Sequence, residues 1–129
     1  LDFSFSGLKT SILYTLQAAE KNEPDFRQNH RADLCASIQN SIVSILIAKL
    51  EKAVKETGIQ TVVIAGGVSA NSELRKRLLV KKDAGWKVGI PKMSYCTDNA
   101  AMIAMAGSFY LAAGQTVGQD VAADPRLKW

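Results

Sequence analysis

Two segments of this 129-residue chain combine residue types that could bind a nucleotide or a metal ion. The first is Gly-Gly-Val-Ser-Ala-Asn at 66–71, which follows an apolar, strand-like run at 61–65 and leads into a helix-compatible run. Gly66 and Gly67 lack a Cβ, so a ligand can approach the backbone and φ can be positive. The next helix would point its free N–H groups and the positive end of its dipole at a bound phosphate. Taken alone, this segment fits a packing turn with nothing bound about equally well.

The second segment, Thr97-Asp98-Asn99, lies where another apolar run, 86–90, gives way to a helix rich in small residues. Asp or Thr at a helix start is first of all an N-cap, which stabilises the helix by roughly 1 kcal/mol. A carboxylate held beside a phosphate-binding type of loop is also a suitable ligand for a hard metal ion. The residues themselves therefore leave Asp98 open between capping, which they favour, and metal binding.

The elements around these segments are predicted from the spacing of apolar residues. Alternation at Phe3 and Phe5 predicts a short strand that Gly7 ends, and further strands are predicted at 61–65 and 86–90. Helices are predicted at 8–19, 31–57, 71–80 and 98–113, with a polar loop at 20–30. This order of strands and helices predicts an α/β fold with a parallel or mixed sheet flanked by helices.

The longest predicted helix, 31–57, would be ended by Gly58 at its C′ position. Its predicted buried stripe is Leu34, Ile38, Ile42, Ile45, Leu46, Leu50, Ala53 and Val54. In α/β sheets ligands bind at the carboxyl ends of strands, and both Gly66–Gly67 and Asp98 follow predicted strand ends. The two segments are therefore predicted to meet at one edge of one sheet.

Charge and composition limit the class of protein. The chain has 16 Lys and Arg against 12 Asp and Glu, a net charge of +4 that is compatible with nucleic acid without being diagnostic. No uninterrupted apolar run approaches the ~20 residues that span a bilayer, so no membrane partner is expected. Basic charge is concentrated on one predicted helix and the segment just after it, as a solvated face or a contact to phosphates, at Arg75, Lys76, Arg77, Lys81 and Lys82.

The two cysteines favour a reducing, cytoplasmic setting, because Cys35 and Cys96 lack the spacing of a disulfide framework or a structural zinc site. Cys35 lies on an apolar helical face and is predicted to be a small core residue. The chain begins at Leu1 rather than Met, and in a predicted strand, so we expect it to be a piece of a longer protein.

Three segments together resemble one family. They are Phe-Ser-Phe-Ser-Gly-Leu-Lys-Thr at 3–10, Ala-Gly-Gly-Val-Ser-Ala-Asn with Leu-Arg at 65–75, and Tyr-Cys-Thr-Asp-Asn-Ala-Ala-Met-Ile-Ala at 95–104. In this order and spacing they are similar to the C-terminal part of the TsaD-type tRNA N6-adenosine threonylcarbamoyltransferases. This family was formerly described as O-sialoglycoprotein endopeptidases, or glycoproteases. The resemblance covers nearly the whole chain.

The resemblance implies an actin-like ATPase fold of the hexokinase and Hsp70 type. Residues 1–114 would be its second, C-terminal lobe, truncated at the N-terminus, and residues 115–129 a tail. It implies transfer of threonylcarbamoyl from threonylcarbamoyl-AMP to the N6 of the adenosine next to the tRNA anticodon. It also implies that Gly66, Gly67 and Asn71 bind the nucleotide. Asp98 would be one ligand of a divalent metal ion, iron or zinc.

In the family, a pair of histidines from the first lobe supplies the other protein ligands of that metal. His30, the only histidine here, matches neither and is interpreted as a surface residue, while the role of Lys9 stays open. The implied partners are tRNA, a paralogous dimerisation partner and a small ATPase of the same pathway, in the cytoplasm. The chain alone is expected to be catalytically silent and to self-associate through an unpaired strand edge at Phe3 and Phe5.

Three alternative functions belong to other classes. A metal-dependent peptidase is the former family description, and the chain has no His-Glu-x-x-His motif. A sugar or acetate kinase of the same superfold would also have a Gly-Gly adenosine loop, but the segment at 95–99 argues against it. A non-catalytic dimerisation or scaffold paralogue is the third alternative, against which the presence of Asn71 and Asp98 argues.

Overall fold

The structure is a computed structural model and describes residues 5–122. Its helices are α1 (Ser6–Glu20), α2 (Phe26–Asn29), α3 (Arg31–Thr57), α4 (Ser72–Asp83) and α5 (Ala100–Ala112). Two strands, β1 (Thr61–Val63) and β2 (Lys87–Gly89), pair in parallel with Val62 opposite Val88. The predicted α/β class is confirmed, with a small parallel sheet in the part of the chain that the structure describes.

The core lies where α3, α4 and the sheet meet. Its members are the buried side chains of Val43, Ile47, Val62, Leu74 and Leu78. Leu78 is completely inaccessible to solvent, and both Val43 and Leu74 are less than 5% exposed. Helix α4, which connects β1 to β2, therefore packs onto α3. Because β1 and β2 are parallel, the two loops that follow them lie at the same edge of the sheet.

Helix α3 has the predicted bounds, since no proline or glycine interrupts its 27 residues. It ends where Gly58 adopts a φ of 72° and donates its N–H to the Val54 carbonyl at 2.9 Å. The predicted buried stripe is partly wrong, because the fully buried residues are Val43 and Ile47 while Ile45 is exposed. Apolar residues surround this helix on several faces, so contact with α4, rather than periodicity, selects the buried face.

By length and composition alone, α3 is also apolar enough to cross a membrane. In this structure the helix instead supplies Val43 and Ile47 to the core shared with α4. A core helix packed inside a protein satisfies the same two criteria, so length and composition alone do not identify a membrane span.

The predicted N-terminal strand is wrong where the structure describes it, and Phe3 lies outside the described residues. Phe5 precedes α1 with φ −110° and ψ 1°, and the helix begins at Ser6, so Gly7 lies inside a helix instead of ending a strand. A single alternation of Phe and Ser fits the first turn of a helix as well as a strand. The predicted self-association through an unpaired strand edge loses its structural basis at Phe5.

The predicted loop at 20–30 contains the short helix α2 and a cluster of polar contacts. Glu23 accepts a hydrogen bond from Asn29 Nδ2 at 2.6 Å, and its other oxygen lies 3.2 Å from His30 Nε2. The Asn29 hydrogen bond, followed by the contact with His30, holds the pKa of Glu23 below its ordinary value. His30 also stacks on Phe26, with ring centroids 4.5 Å apart, so this half-buried histidine joins α2 to α3.

Helix α5 is apolar on all sides. It has no charged residue, and every one of its residues is exposed, including Ile103 at 65% and Phe109 at 70%. A helix that is hydrophobic all round is typical of a buried position. Its surface therefore suits a protein environment larger than the described residues provide.

Candidate functional site

The turn after β1 depends on one glycine conformation. Gly66 has φ 77° and ψ 177°, a region that residues with a Cβ rarely adopt. Its carbonyl oxygen accepts hydrogen bonds from the backbone N–H of Ser69 at 3.0 Å and from Ser69 Oγ at 2.6 Å. Gly67 begins a 3₁₀ turn, and no atom lies within 4 Å of where a Cβ would be on either glycine. The backbone of this exposed turn is accessible to another molecule.

Asn71 caps the helix that follows the turn. Its Oδ1 accepts the backbone N–H of Leu74 at 3.0 Å, and its Nδ2 donates to Gln39 Oε1 on α3 at 3.3 Å. Asn71, the predicted first residue of the helix, is therefore its cap, and the 3₁₀ turn Gly67–Ala70 lies between Gly66 and this cap. The side-chain oxygen is engaged in the cap, so the Nδ2 group, which has a second N–H besides the one donated to Gln39, is the donor available to a ligand.

The cap of α5 is Asn99, so capping by Thr97 or Asp98 is wrong. Asn99 has an extended backbone, its Oδ1 accepts the N–H of Met102 at 3.0 Å, and its Nδ2 donates to the Thr97 carbonyl at 2.9 Å. An N-cap must directly precede the first helical residue for its oxygen to reach this N–H. Asp98 is exposed, and its carboxylate is not needed to start the helix.

A complete metal site is not formed by residues 5–122, in which no three His, Cys, Asp or Glu side chains are grouped to hold an ion. Asp98 offers one hard oxygen ligand at the predicted edge of the sheet. Hard divalent ions need several ligands, so Asp98 could hold a metal only together with groups from outside these residues.

Arg75 joins the two candidate loops. Its Nη1 donates to the Ser69 carbonyl at 2.8 Å and its Nη2 donates to the Pro91 carbonyl at 2.7 Å. Nη1 also lies 3.6 Å from the sulfur of Cys96, which in turn contacts the Lys92 carbonyl at 3.4 Å. The predicted meeting of the two segments at one edge is thus supported by a side chain that touches the glycine turn and the loop leading to Asp98.

Two of the remaining basic residues of α4, Arg77 and Lys81, make packing contacts, while Lys76 and Lys82 are exposed. Arg77 donates to Glu73 at 2.8 Å and to Ser44 at 2.9 Å, and it also contacts Asn40 on α3. Lys81 pairs with Glu51 and lies over the ring of Trp86. Hydrogen bonding to Arg77 is the main reason why the pKa of Glu73 is lowered. The phosphate-contact hypothesis is therefore weakened at the residues with intramolecular partners, Arg75, Arg77 and Lys81.

The two cysteines differ in their exposure to solvent. Cys35 is exposed, so its predicted place in the core is wrong. Cys96 is 1% exposed and contacts Arg75 and a backbone carbonyl.

Sequence reasoning missed the contacts that Arg75 makes with both loops, because a basic residue on a helix is usually solvated. The only available signal was its position in the 65–75 segment.

The sequence matches the family described as tRNA N6-adenosine threonylcarbamoyltransferase (TsaD) over residues 1–105. A relative with that name from Christiangramia forsetii is 59% identical over 111 residues, which are 83% of this chain and 32% of the relative. Relatives of the same name from Cytophaga hutchinsonii and Riemerella anatipestifer are each 47% identical over 128 residues, or 98% of this chain. Those residues are 37% and 38% of the two relatives.

The chain thus spans about a third of the length of these curated relatives. The match nevertheless covers both loops that follow the strands, with the glycine turn, Asn71 and Asp98 all inside it. Because the family match extends over most of its residues, this chain belongs to the TsaD family of tRNA N6-adenosine threonylcarbamoyltransferases.

Proposed function

We propose that the full-length protein containing this chain transfers threonylcarbamoyl from threonylcarbamoyl-AMP to the N6 of the adenosine next to the tRNA anticodon. Family membership over residues 1–105 is the observation that carries this proposal. Residues 1–114 would form the C-terminal lobe of an actin-like, two-lobe enzyme, with residues 115–129 as a tail. Its setting would be the cytoplasm, where tRNA is the macromolecular substrate.

The reaction demands positioning more than a covalent intermediate. The N6 nitrogen forms a bond to the carbamoyl carbon, the bond from that carbon to the phosphate oxygen breaks, AMP leaves, and N6 loses a proton. AMP is a good leaving group, whereas an amine conjugated with adenine is a poor nucleophile. Holding both substrates in contact can therefore supply much of the rate increase.

The residues of this chain would act on the AMP portion. The open backbone at Gly66 and Gly67 would lie against the nucleotide, and the second N–H of Asn71 Nδ2, beside the one donated to Gln39, would donate to it. Asp98 would be one ligand of an iron or zinc ion, which, when bound, would supply Lewis-acid stabilisation of developing charge.

Two protein partners belong to the proposal as well, a paralogous dimerisation partner and a small ATPase of the same modification pathway. No observation in the described residues favours the peptidase, the kinase or the non-catalytic scaffold. The scaffold alternative predicts a different result. Substitution of the site residues in such a protein would not reduce tRNA modification, because a partner would carry out the reaction.

The decisive experiment uses the purified full-length protein, its two partner proteins, threonylcarbamoyl-AMP and a tRNA with adenosine next to the anticodon. We expect the modified nucleoside to form, as measured by mass spectrometry of digested tRNA, and to be absent when that adenosine is replaced by guanosine. Failure of the complete system to modify tRNA would contradict the proposal. Transfer by the 129-residue chain alone would contradict its two-lobe form.

The metal role of Asp98 has a matched control in its neighbour. Asp98→Asn and Asp98→Ala both leave the cap of α5 intact, whereas Asn99→Ala removes the cap at a cost of about 1 kcal/mol and keeps the carboxylate. In the full-length protein we expect the two Asp98 variants to lose bound metal, measured by elemental analysis, and Asn99→Ala to retain it. Full metal content in Asp98→Asn would remove Asp98 from the ligand set.

A further inference from the structure

A continuous set of hydrogen bonds connects the glycine turn to the segment before Asp98. Ser69 Oγ donates to the Gly66 carbonyl, and the Ser69 carbonyl accepts from Arg75. The same guanidinium donates to the Pro91 carbonyl. It then contacts the sulfur of Cys96, two residues before Asp98. Ser69 and Cys96 are each 1% exposed, so the contacts of Arg75 with these two residues are shielded from water.

The geometry needs a guanidinium. The Ser69 and Pro91 carbonyls accept from different nitrogens of Arg75, at 2.8 and 2.7 Å. Arginine presents several N–H donors in a fixed planar fork, so one side chain can hold two carbonyls at a set separation. A lysine ammonium carries its N–H donors on one nitrogen at the end of a flexible stem, so it would not hold the two carbonyls at that separation.

Arg77 provides an internal comparison on the same helix. It has as many polar partners as Arg75, but all of them lie on α4 and α3, at Glu73, Ser44 and Asn40. Arg77 therefore fastens α4 to α3, whereas Arg75 fastens one loop to the other. A loss of helix packing and a loss of loop registration can thus be separated by substituting one arginine or the other.

We propose that Arg75 is a positioning residue, which sets the Gly66–Ser69 turn against the Pro91–Cys96 segment so that both loops act on one bound donor. The inference rests on the proposed transferase function and adds to it a residue that need not touch the substrate. Misplacing a reacting group by about 1 Å can lower a rate by ~100-fold. A turn released from its neighbour would therefore lower turnover even if the nucleotide still bound.

The first test compares Arg75→Gln, Arg75→Lys and Arg77→Gln in the full-length enzyme, by kcat and by the KM for threonylcarbamoyl-AMP. We expect Arg75→Gln to lower kcat by about 10- to 100-fold with a smaller change in KM. Arg75→Lys should behave like Arg75→Gln, because one ammonium nitrogen cannot take the positions of both Nη1 and Nη2. Arg77→Gln should stay within about twofold of the parent kcat while lowering thermal stability.

A second measurement does not depend on activity. Hydrogen exchange of the Ser69 and Cys96 amides, which donate to the Gly66 and Met93 carbonyls, reports the order of the two loops. Arg75→Gln should accelerate both together, and Arg77→Gln should leave both near the parent rate. Ser69→Ala, a smaller change at the other end of the set, should be non-additive with Arg75→Gln in kcat.

The outcomes separate the two proposals. An inactive wild-type enzyme would refute the transferase function and this inference with it. An active wild type in which Arg75→Gln and Arg77→Gln have equal effects on kcat and on exchange would refute the positioning role alone. Full activity of Arg75→Lys would also refute it, since a point charge would then suffice.

Discussion

Asn71 combines a structural role that is visible in the fold with a proposed role in nucleotide binding, and two substitutions can separate them. Asn71→Ala removes both the Oδ1 acceptor for the Leu74 N–H and the Nδ2 donor to Gln39. Asn71→Asp keeps an oxygen at the cap, removes the donor and adds a negative charge. The two variants should therefore differ in stability and agree in weakened binding.

The magnitudes follow from these contacts. Loss of an N-cap costs about 1 kcal/mol, and the exposed contact with Gln39 at 3.3 Å adds at most a few tenths. Asn71→Asp should be nearly neutral, since Asp caps as well as Asn and its charge suits a helix N-terminus. Toward an adenylate, the lost donor and the added negative charge should together weaken binding by at least about tenfold, or ~1.4 kcal/mol.

Urea denaturation of the 129-residue chain with Trp129 replaced by Phe, followed by Trp86 fluorescence, measures the first quantity for the central unit of α3, the sheet and α4. Calorimetric titration of the full-length protein with AMP measures the second. We expect Asn71→Ala to lower the free energy of unfolding by about 1 kcal/mol and Asn71→Asp to leave it within about 0.5 kcal/mol. AMP affinity should fall in both. If Asn71→Asp binds AMP as tightly as the parent, the side chain is a helix cap only and the binding role is refuted.

Three other predictions concern packing and surface. Leu78→Ala should lower the free energy of unfolding by about 3 kcal/mol, because its completely buried side chain leaves a cavity; a urea midpoint unchanged within error would contradict this core. In the native chain a thiol reagent should modify Cys35 rapidly and Cys96 slowly, with both reacting in denaturant, and equal native rates would show that Cys96 is accessible. The chain alone should self-associate through α5, as measured by light scattering, and Ile103→Lys with Phe109→Lys should reduce this; a monomeric parent would contradict it.

Predictability from sequence followed the strength of the local signal. Helix α3 and its end at Gly58 were predicted correctly, since a long apolar pattern closed by glycine has few alternatives. The strands at 61–65 and 86–90 exist but are shorter, because only Thr61–Val63 and Lys87–Gly89 pair with each other. The prediction of an N-terminal strand was wrong because its pattern is too short. One alternation at Phe3 and Phe5 cannot distinguish a strand from the start of a helix.

The candidate site divides in the same way. Gly66 could be recognised because only glycine tolerates its φ, and its place after a strand is a local feature. The cap of α5 moved from Asp98 to Asn99 because a boundary shift of one or two residues lies beyond what composition resolves. The contacts of Arg75 were out of reach, since they depend on a carbonyl 16 positions away that only the folded chain brings near.

The placement of the core has a consequence for how this chain unfolds. Its buried cluster is drawn from α3, β1 and α4, while α1, α2 and α5 contribute no buried residue. Such a chain should lose its ends before its centre, so its melting is not one all-or-none event. Trp86 packs against the cluster and would report the central unit by fluorescence once Trp129 is replaced by Phe. Far-ultraviolet circular dichroism would also register α1 and α5 and should show an earlier, broader transition than Trp86.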